Sequence, residues 1–297
     1  MRTIDTSGLK PMGPRENGPW LLEDDTLLRA TLRGELMRTE AEAKLQFDSY
    51  LAGRAANLDT PRPLEIVRVP TGYGVVVEYV QGIGLGMHIM LGSYTPEEAG
   101  REMGKLLHGI HDAHSSLGFS WYEAFCQYAS TVAMLLPNEL GVPLESLVKS
   151  IPVSNTLLHG DFHVGNVIVC DGRLPLIDME STGFGHPVFD LAVARSRMLF
   201  NAIREAQRMG LAEDQAKETS RALWNAMLAG YFDGVGQEEL ASIDQRLAVL
   251  AEMEICCVAY RMTVSKPDNL HNWQRNRLLC YAQQLEELLP QISQLYF

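Results

Sequence analysis

Three oxygen-bearing side chains near the middle of the chain have the types and the spacing to hold a divalent cation. Asn166 follows Asp161 by five residues, and Asp178 comes after a predicted hairpin. The hairpin is indicated by Asp171-Gly172, a strong two-residue turn signal between two apolar runs. Because a hairpin folds its ends together, we expect these side chains to converge. Carboxylate and amide oxygens suit Mg²⁺, so the sequence predicts a cation and proton-acceptor site here.

The elements that position these residues are two short strands and the loop before them. Val167–Cys170 and Leu174–Ile177 are the apolar runs on either side of the turn. Asp161 and Asn166 precede the first run, and Asp178 ends the second. The predicted site is therefore built from local chain geometry alone.

The residues around the hairpin resemble the aminoglycoside phosphotransferase and choline kinase family of small-molecule kinases. The tripeptide His159-Gly160-Asp161, Asn166 and the segment Ile177-Asp178-Met179-Glu180 carry the resemblance. Protein kinases use the same order of Asp, Asn and Asp, with His-Arg-Asp in place of His-Gly-Asp. The resemblance implies an α+β, protein-kinase-like bilobal fold, with a small β-rich N-terminal lobe and a larger, mostly helical C-terminal lobe.

The resemblance also implies a reaction and the residues that carry it. The chain is expected to move the γ-phosphate of ATP, or of GTP, to a hydroxyl group of a small molecule. Asp161 would be the catalytic base, orienting the hydroxyl and taking its proton late in the transfer. Asn166 and Asp178 would ligate the Mg²⁺ that bridges the phosphates.

Three further residues of this region are expected to support the loop. His159 and Asp190 resemble residues that brace the catalytic loop of the family. Glu180 has two open interpretations, either close to the metal or as part of the loop architecture. None of the three is predicted to take part in the transfer itself.

The predicted nucleotide-binding residues lie in the N-terminal part. Kinase-like folds pair a strand Lys with a helix Glu to hold the phosphates, and this chain offers Arg29 in the strand position. The helix partner would be Glu42, with Glu40 as the alternative. By resemblance, the stretch ending at Glu78 and Val80 would present backbone groups to the adenine edge.

The phosphate-binding loop is irregular. Gly8, Gly13 and Gly18 are too widely spaced for a usual glycine-rich turn, so Lys10 or Arg15 could contact phosphates instead. This irregularity, with Arg29 in place of Lys, leaves open a nucleotide-binding pseudokinase that senses or scaffolds without transferring phosphate.

The order of predicted elements divides the chain into three parts. Residues 1–80 form the nucleotide-binding lobe, with a hairpin at Trp20–Leu22 and Thr26–Ala30 and one helix from Glu35 to about Ala52. Residues 81–90 form a connector, and residues 91–297 form the helical lobe with the catalytic hairpin. Thr95-Pro96 and His186-Pro187 are predicted helix starts.

Composition restricts the partners and the compartment. The chain has 297 residues, 46% of them hydrophobic, and a net charge of −12. The charge argues against nucleic acid or an anionic membrane as partner, and a cationic substrate is compatible with it. No apolar leader or bilayer-length run is present, and five cysteines without a secretory signal indicate reduced thiols, so a cytoplasmic location is expected.

Two questions stay open at this level. His159, Asp161 and His163 alternate as metal ligands of a hydrolase might, although the remaining ligands are not evident. The acceptor is also undetermined, since the resembling family includes enzymes for aminoglycosides, choline-like alcohols, sugars and amino-alcohols. Aromatic candidates for the acceptor pocket are Trp121, Tyr122, Tyr231 and Trp273.

Overall fold

The computed structural model describes residues 1–12, 18–32, 35–201, 212–264 and 272–297, without the side chains of 201, 261–264 and 272–275. Gly13, Arg15 and the Trp273 side chain, named above as candidates, lie outside this description. The chain divides into two compact units. Unit 1 consists of Met1–Tyr94, Ala113–Phe119 and His163–Gly183, and unit 2 of Thr95–Asp112, Ser120–Phe162 and Phe184–Phe297. Unit 1 therefore includes the hairpin, which we had placed in the helical lobe; the boundaries at residues 81 and 91 stay a prediction.

Unit 1 is built around a four-stranded antiparallel sheet in the order β1-β2-β6-β5. Trp20 pairs with Leu28, which confirms the predicted N-terminal hairpin. The sheet is stabilised by buried apolar side chains such as Leu28, Val67 and Val76. Its strands and the short ones beside it are β1 (Trp20–Leu21), β2 (Thr26–Arg29), β3 (Thr31–Leu32), β4 (Glu35–Leu36), β5 (Pro63–Val69), β6 (Gly72–Glu78) and β7 (Ile83–Gly84).

Helix α1 (Glu40–Ala55) begins later than the sequence predicted. Thr39 adopts an extended conformation and its side chain accepts a hydrogen bond from the Glu42 amide, which fixes the first turn. Glu35 and Leu36 instead pair with β3 as strand β4. The predicted start at Glu35 is therefore wrong, because the apolar pattern runs on through residues that the cap excludes from the helix.

The hairpin between Asn166 and Asp178 has the predicted turn. Cys170 and Arg173 exchange backbone hydrogen bonds of 2.8 and 3.1 Å around Asp171 and Gly172. These two turn residues have φ values of 49° and 74°, the left-handed conformation that a tight hairpin turn requires. The first strand contains β10 (Ile168–Val169), which also pairs with β7 within unit 1.

Unit 2 is mostly helical, which with the sheet of unit 1 confirms the predicted fold class. Thr95 caps its first helix with a full capping box, as predicted, and the His186 side chain caps α6. The helices outside unit 1's α1 and α2 (Leu85–Met90) are α3 (Pro96–His111), α4 (Trp121–Ala133), α5 (Asn138–Lys149), α6 (Pro187–Ser196), α7 (Glu213–Tyr231), α8 (Gln237–Val264) and α9 (Asn272–Leu288). Three short strands complete the chain: β8 (Phe119–Ser120), β9 (Thr156–Leu158) and β11 (Gly183–Gly185).

Helices α3 and α7 pack backbone to backbone. A Cβ atom on Gly104 would collide with the carbonyl oxygen of Met227 and the amide of Tyr231, and one on Gly100 would collide with the carbonyl oxygen of Leu223. The two helices can therefore approach this closely only because α3 presents glycines at the crossing. Within the described residues, no helix is long and apolar enough to cross a membrane.

Candidate active site

The hairpin brings Asn166 next to Asp178 within unit 1. The Ile177 amide donates to the Asn166 carbonyl oxygen at 2.9 Å, and Val167 bridges to Leu176 in antiparallel register. Asn166 is thus opposite the residue that precedes Asp178. The turn therefore brings the backbone at Asn166 beside the backbone that leads into Asp178, and its cause is local. The predicted convergence of the three side chains, which includes Asp161, stays a prediction.

Arg29 on strand β2 binds the carboxylate of Asp178. Its Nη2 donates to Asp178 Oδ1 at 2.6 Å and lies 3.6 Å from Glu180 Oε2. Asp178 itself has φ 63° and ψ 57°, an uncommon left-handed conformation for a residue with a side chain. The three side chains are only 11%, 27% and 12% exposed, in the order Arg29, Asp178, Glu180.

The surroundings of Arg29 keep it charged. Burial on its own would lower the pKa of Arg29, but Tyr50 and the carboxylates of Asp178 and Glu180 outweigh it and raise the pKa above its ordinary value. Burial also raises the pKa of Tyr50 to about 12, so near neutral pH Tyr50 is uncharged and the two carboxylates are the groups that stabilise the charge of Arg29. The Arg29 Nε is buried and makes no hydrogen bond to the described residues.

Glu42 is not the helix partner of Arg29. Its carboxylate accepts hydrogen bonds of 2.8 Å from the backbone amides of Arg38 and Thr39 at the start of α1. These bonds, chiefly those with Thr39, lower the pKa of Glu42. The predicted ion pair was wrong, because the third helical residue after a Thr cap turns back to the cap rather than toward the sheet.

The structure places Glu78 at the end of β6, on the strand that also pairs with β2. The Glu78 carboxylate accepts from Nε and from the backbone amide of Arg62, both at 3.0 Å, so this side chain is used by a surface ion pair. Val80 follows outside the sheet, and none of the hydrogen bonds among the described residues uses its amide. The adenine-binding role of these two residues stays a prediction.

The donor set in unit 1 fits a Mg²⁺ ion. Asp178 offers a partly exposed carboxylate whose Oδ1 is bound by a cationic group, and Asn166, whose backbone pairs with the residue before Asp178, adds a side-chain amide. Among the described residues, no group of three or more His, Cys, Asp or Glu side chains could hold a metal ion. An ion here would therefore take most of its ligands from phosphate and water oxygens, as Mg²⁺ commonly does.

The loop of unit 2 that carries Asp161 is held by Asp190, as the sequence predicted. The carboxylate of Asp190 accepts from the backbone amides of His159 at 2.7 Å and Gly160 at 2.9 Å, and His111 Nε2 lies 3.2 Å away. Burial would raise the pKa of Asp190, but the hydrogen bonds and the two histidines lower it. His111 is in turn bound by the Tyr231 hydroxyl at 2.7 Å.

Asp161 lies in the same unit and is bound by an arginine that sequence reasoning missed. Arg197 Nε donates to Asp161 Oδ1 at 2.7 Å, and its Nη1 and Nη2 donate to Glu254 at 3.2 and 3.0 Å. Glu254 is an acid within the apolar run Leu250–Cys257, which was the available signal. Its partner could not be read from the sequence, because 57 residues separate the pair.

The two histidines of the hydrolase hypothesis have a place in the loop. The Nδ1 of His159 accepts from the Asp161 amide at 3.3 Å, and the Nδ1 of His163 accepts from the Gly165 amide at 3.0 Å. Each therefore hydrogen-bonds its own loop through Nδ1, and the described residues offer no ligand cluster that would include the two rings. The metallohydrolase hypothesis stays a prediction without a ligand set among the described residues.

Unit 2 also contains an open cavity of about 570 Å³, lined in part by Lys105, His108, Tyr231 and Phe297. None of the predicted catalytic, nucleotide-binding or metal-binding residues lines it. Of the aromatic residues proposed for an acceptor pocket, only Tyr231 does so among those whose side chains are described.

The geometry of the hairpin and the loop agrees with a family match. The sequence profile of the phosphotransferase enzyme family matches residues 16–228. The chain belongs to the phosphotransferase enzyme family. The match includes Asp161, Asn166, Asp178, Arg29, Glu42, Glu78 and Val80, but it does not reach further candidates such as Lys10, Arg15 and Trp273.

Individual relatives match a shorter part of the chain than the family profile does. The methylthioribose kinase of Citrobacter koseri is 36% identical over 77 residues, which is 24% of this chain and 19% of that protein. The chain thus matches about a fifth of the length of this relative. The matched segment is too short to carry the substrate of that kinase over to this chain.

Solved structures of two small-molecule kinases share the fold. The ADP-bound aminoglycoside phosphotransferase APH(2″)-Ib aligns over 96% of each chain, with 14% identity and a TM-score of 0.58. A choline/ethanolamine kinase family protein from Mesorhizobium loti aligns over 97% of this chain and 90% of its own, with 14% identity and a TM-score of 0.59. The predicted protein-kinase-like fold is confirmed.

Proposed function

We propose that this family member is an ATP- and Mg²⁺-dependent phosphotransferase that phosphorylates a hydroxyl group of a small molecule. The observation that carries the proposal is the hairpin that brings the backbone at Asn166 beside the residue before Asp178. Asp161 precedes Asn166 by five residues, in a loop whose backbone is held by Asp190. Residue types, order and local geometry then agree with one reaction. Phosphoryl transfer needs positioning and charge more than covalent chemistry, and these residues supply both.

Each residue has one task in the proposed reaction. Asp161 accepts a hydrogen bond from the acceptor hydroxyl, orients its oxygen toward the γ-phosphorus and takes the proton late. Asn166 and Asp178 hold the metal ion, which neutralises charge on the phosphate oxygens when bound. The Asp190 bonds to the His159 and Gly160 amides keep the loop in place while the acceptor binds.

The nucleotide is proposed to bind in unit 1. Arg29 is a buried cation beside Asp178, and guanidinium groups bind phosphate oxygens well. The amide of Val80 is a candidate donor to the adenine edge, and the backbone at Glu78 a candidate acceptor. GTP is the alternative nucleotide, and a competition experiment between ATP and GTP decides between them.

The proposal is tested by replacing Asp161. Asp161→Asn and Asp161→Ala should lower ADP release in a panel of hydroxylated metabolites and aminoglycosides by at least about 10²-fold, because the hydroxyl loses its base and its orienting partner. Mg·ATP binding by calorimetry should persist. The matched control is Asp112→Asn, an exposed carboxylate of unit 2, which should retain wild-type turnover. Near-normal turnover in both Asp161 variants would remove Asp161 from this role.

A pseudokinase is the second candidate. The observation that favours it is the Arg29–Asp178 ion pair, which commits the strand cation and the metal ligand to each other. A pseudokinase would bind nucleotide without releasing ADP, with or without acceptors. Slow ATP hydrolysis that disappears in the Asp161 variants would exclude it.

The acceptor class remains the broadest part of the proposal. Methylthioribose kinase, aminoglycoside phosphotransferase and choline/ethanolamine kinase are the names of similar proteins, and each is a starting point for the panel. A cationic acceptor agrees with the net charge of −12. Acceptors with and without an amine should therefore be included in equal number.

A further inference from the structure

We propose that Arg197 is a positioning residue for Asp161, and that Glu254 holds Arg197 in the orientation that this requires. The inference rests on the proposed function and adds two residues to it. Neither belongs to the motif that identified the site. All three side chains lie in unit 2.

The contacts divide the Arg197 guanidinium between two carboxylates. Its Nε donates to Asp161 Oδ1 at 2.7 Å, whereas Nη1 and Nη2 form a forked pair with the two oxygens of Glu254. A planar guanidinium gripped at one edge presents its remaining N–H groups in fixed directions. The Glu254 fork therefore aims Nε at Asp161.

The surroundings of Glu254 hold its carboxylate in a fixed position, and with it the Arg197 guanidinium. Its side chain is 4% exposed, and Ser196 donates a further hydrogen bond to its Oε2 at 2.7 Å. A buried carboxylate is tolerated when its partners satisfy it, and here Ser196 and Arg197 do so. Arg197 satisfies Glu254 with its terminal nitrogens, so the Nε contact to Asp161 is additional to what Glu254 needs.

Arg197 lies at the point where helix α6 changes from α-helical to π-helical geometry. It is the first residue of a π-helical turn, Arg197–Asn201, directly after α6. Such turns reorient side chains and are frequent at functional sites. Helix α6 also carries Asp190, which binds the amides of the Asp161 loop. Helix α6 therefore holds the backbone of the Asp161 loop through Asp190. Arg197, the next residue after this helix, holds the Asp161 side chain.

The consequence for the reaction concerns rotation of the carboxylate. Asp161 is 31% exposed, and Arg197 restrains it through Oδ1. Restraint of one oxygen limits the orientations in which the group can meet an acceptor hydroxyl. Misplacement of a reacting group by about 1 Å can cost about 10²-fold in rate. Loss of Arg197 should therefore act on kcat more than on nucleotide binding.

The test compares Arg197 with a matched neighbour. Arg195 also forms an ion pair in unit 2, with Asp244 at 2.7 Å, but none of its contacts reaches Asp161. The variants are Arg197→Gln, Arg197→Lys and Arg195→Gln. The measurements are thermal unfolding, Mg·ATP binding, and kcat and KM with the panel acceptor that gives most ADP release, or with water where hydrolysis is the only reaction.

We expect Arg197→Gln to lower the melting temperature more than Arg195→Gln does, because it leaves the buried Glu254 without a cation, whereas Asp244 keeps Trp224 and Arg221. The kcat values are therefore compared at a temperature at which both variants are folded. Only Arg197→Gln should lower kcat, by about 10²-fold, with Mg·ATP affinity unchanged, and Arg197→Lys should restore at least about tenfold of the loss. In an Asp161→Ala background, Arg197→Gln should have no additional effect, because Arg197 acts through Asp161.

Two results would overturn the inference. One is a kcat for Arg197→Gln within about twofold of Arg195→Gln, and the other is full additivity with Asp161→Ala. Both are distinct from failure of the proposed function. If the wild-type protein transfers no phosphate and hydrolyses no ATP, the phosphotransferase proposal fails and the role of Arg197 fails with it.

Discussion

At the scale of single residues, Arg29 departs most from the expected pattern. The sequence placed a cation at the strand position that a Lys takes in kinase-like folds, and it predicted a helix carboxylate as the partner. Arg29 pairs instead with Asp178 and approaches Glu180, two residues of the loop that follows the hairpin. It therefore stabilises the acidic loop as well as providing a positive charge for phosphates.

Replacing Arg29 should separate these two effects. Arg29→Met leaves Asp178 and Glu180 without their cation and should destabilise the protein by about 3 kcal/mol, and it should also weaken Mg·ATP binding. Arg29→Lys keeps the charge and should lose less of both. Urea unfolding and calorimetry measure the two quantities.

The control for Arg29 is Arg2→Met. Arg2 forms a surface ion pair with Glu65 in the same unit, which should contribute at most about 1 kcal/mol. If the free energy of unfolding of Arg29→Met is no lower than that of Arg2→Met, the ion pair with Asp178 does not stabilise the protein.

Glu42 supplies the opposite case, a residue expected at the nucleotide and found at a helix end. Glu42→Ala removes the acceptor for the Arg38 and Thr39 amides, so the melting temperature should fall slightly. Mg·ATP affinity should not change. A loss of affinity at unchanged stability would return Glu42 to the nucleotide site.

At the scale of elements, the sequence predicted turns and helix starts that depend on neighbouring residues, but it did not predict pairings between residues far apart in the chain. Asp171-Gly172 and Thr95-Pro96 each specify a turn or a helix start within a few residues, and both are where the sequence predicted. The Arg29–Asp178 pair joins residues 149 positions apart, and its formation depends on how the sheet packs against the loop. No local pattern contains that information. The start of α1 was missed for a related reason, since the apolar pattern continues through strand β4.

The N-terminus of α6 should make stability depend on pH. Burial, assisted by the charge of His111, lowers the pKa of His186 to about 4. His186 is then neutral in the folded protein and charged in the unfolded chain between pH 4 and about 6.5. Stability from this group is complete above pH 6.5 and decreases as the pH falls toward 4.

The matched variant is His186→Asn. Asn can still accept from the Val188 amide as a helix cap, but it does not titrate. Urea unfolding at pH 7 and pH 5 should therefore show a smaller pH effect in the variant than in the wild-type protein. Equal effects in the two proteins would mean that another group accounts for the dependence.

At the scale of the whole molecule, the predicted residues fall into two sets. Arg29, Asn166 and Asp178 belong to unit 1, and Asp161 with its partner Arg197 belongs to unit 2. The family motif therefore spans two units with separate supporting contacts. The order of these residues along the chain identifies the motif, but no local pattern in the sequence assigns the hairpin to unit 1.

This division predicts how nucleotide should affect hydrogen exchange. Mg²⁺ with a non-hydrolysable ATP analogue should slow amide exchange in β2, the end of β6 and the hairpin, because the proposed ligands lie there. The amides of α5 and α9 should change little. Mass spectrometry of exchanged peptides measures this, and protection confined to unit 2 would contradict the proposed nucleotide site.

The glycine crossing of α3 and α7 has a consequence for how such a chain can diversify. Helix α3 carries His111 and α7 carries Tyr231, and both residues lead by hydrogen bonds to Asp190 and the Asp161 loop. A larger side chain at Gly104 would force the helices apart and displace that support. Laboratory evolution toward new acceptors should therefore accumulate substitutions elsewhere and leave these glycines untouched.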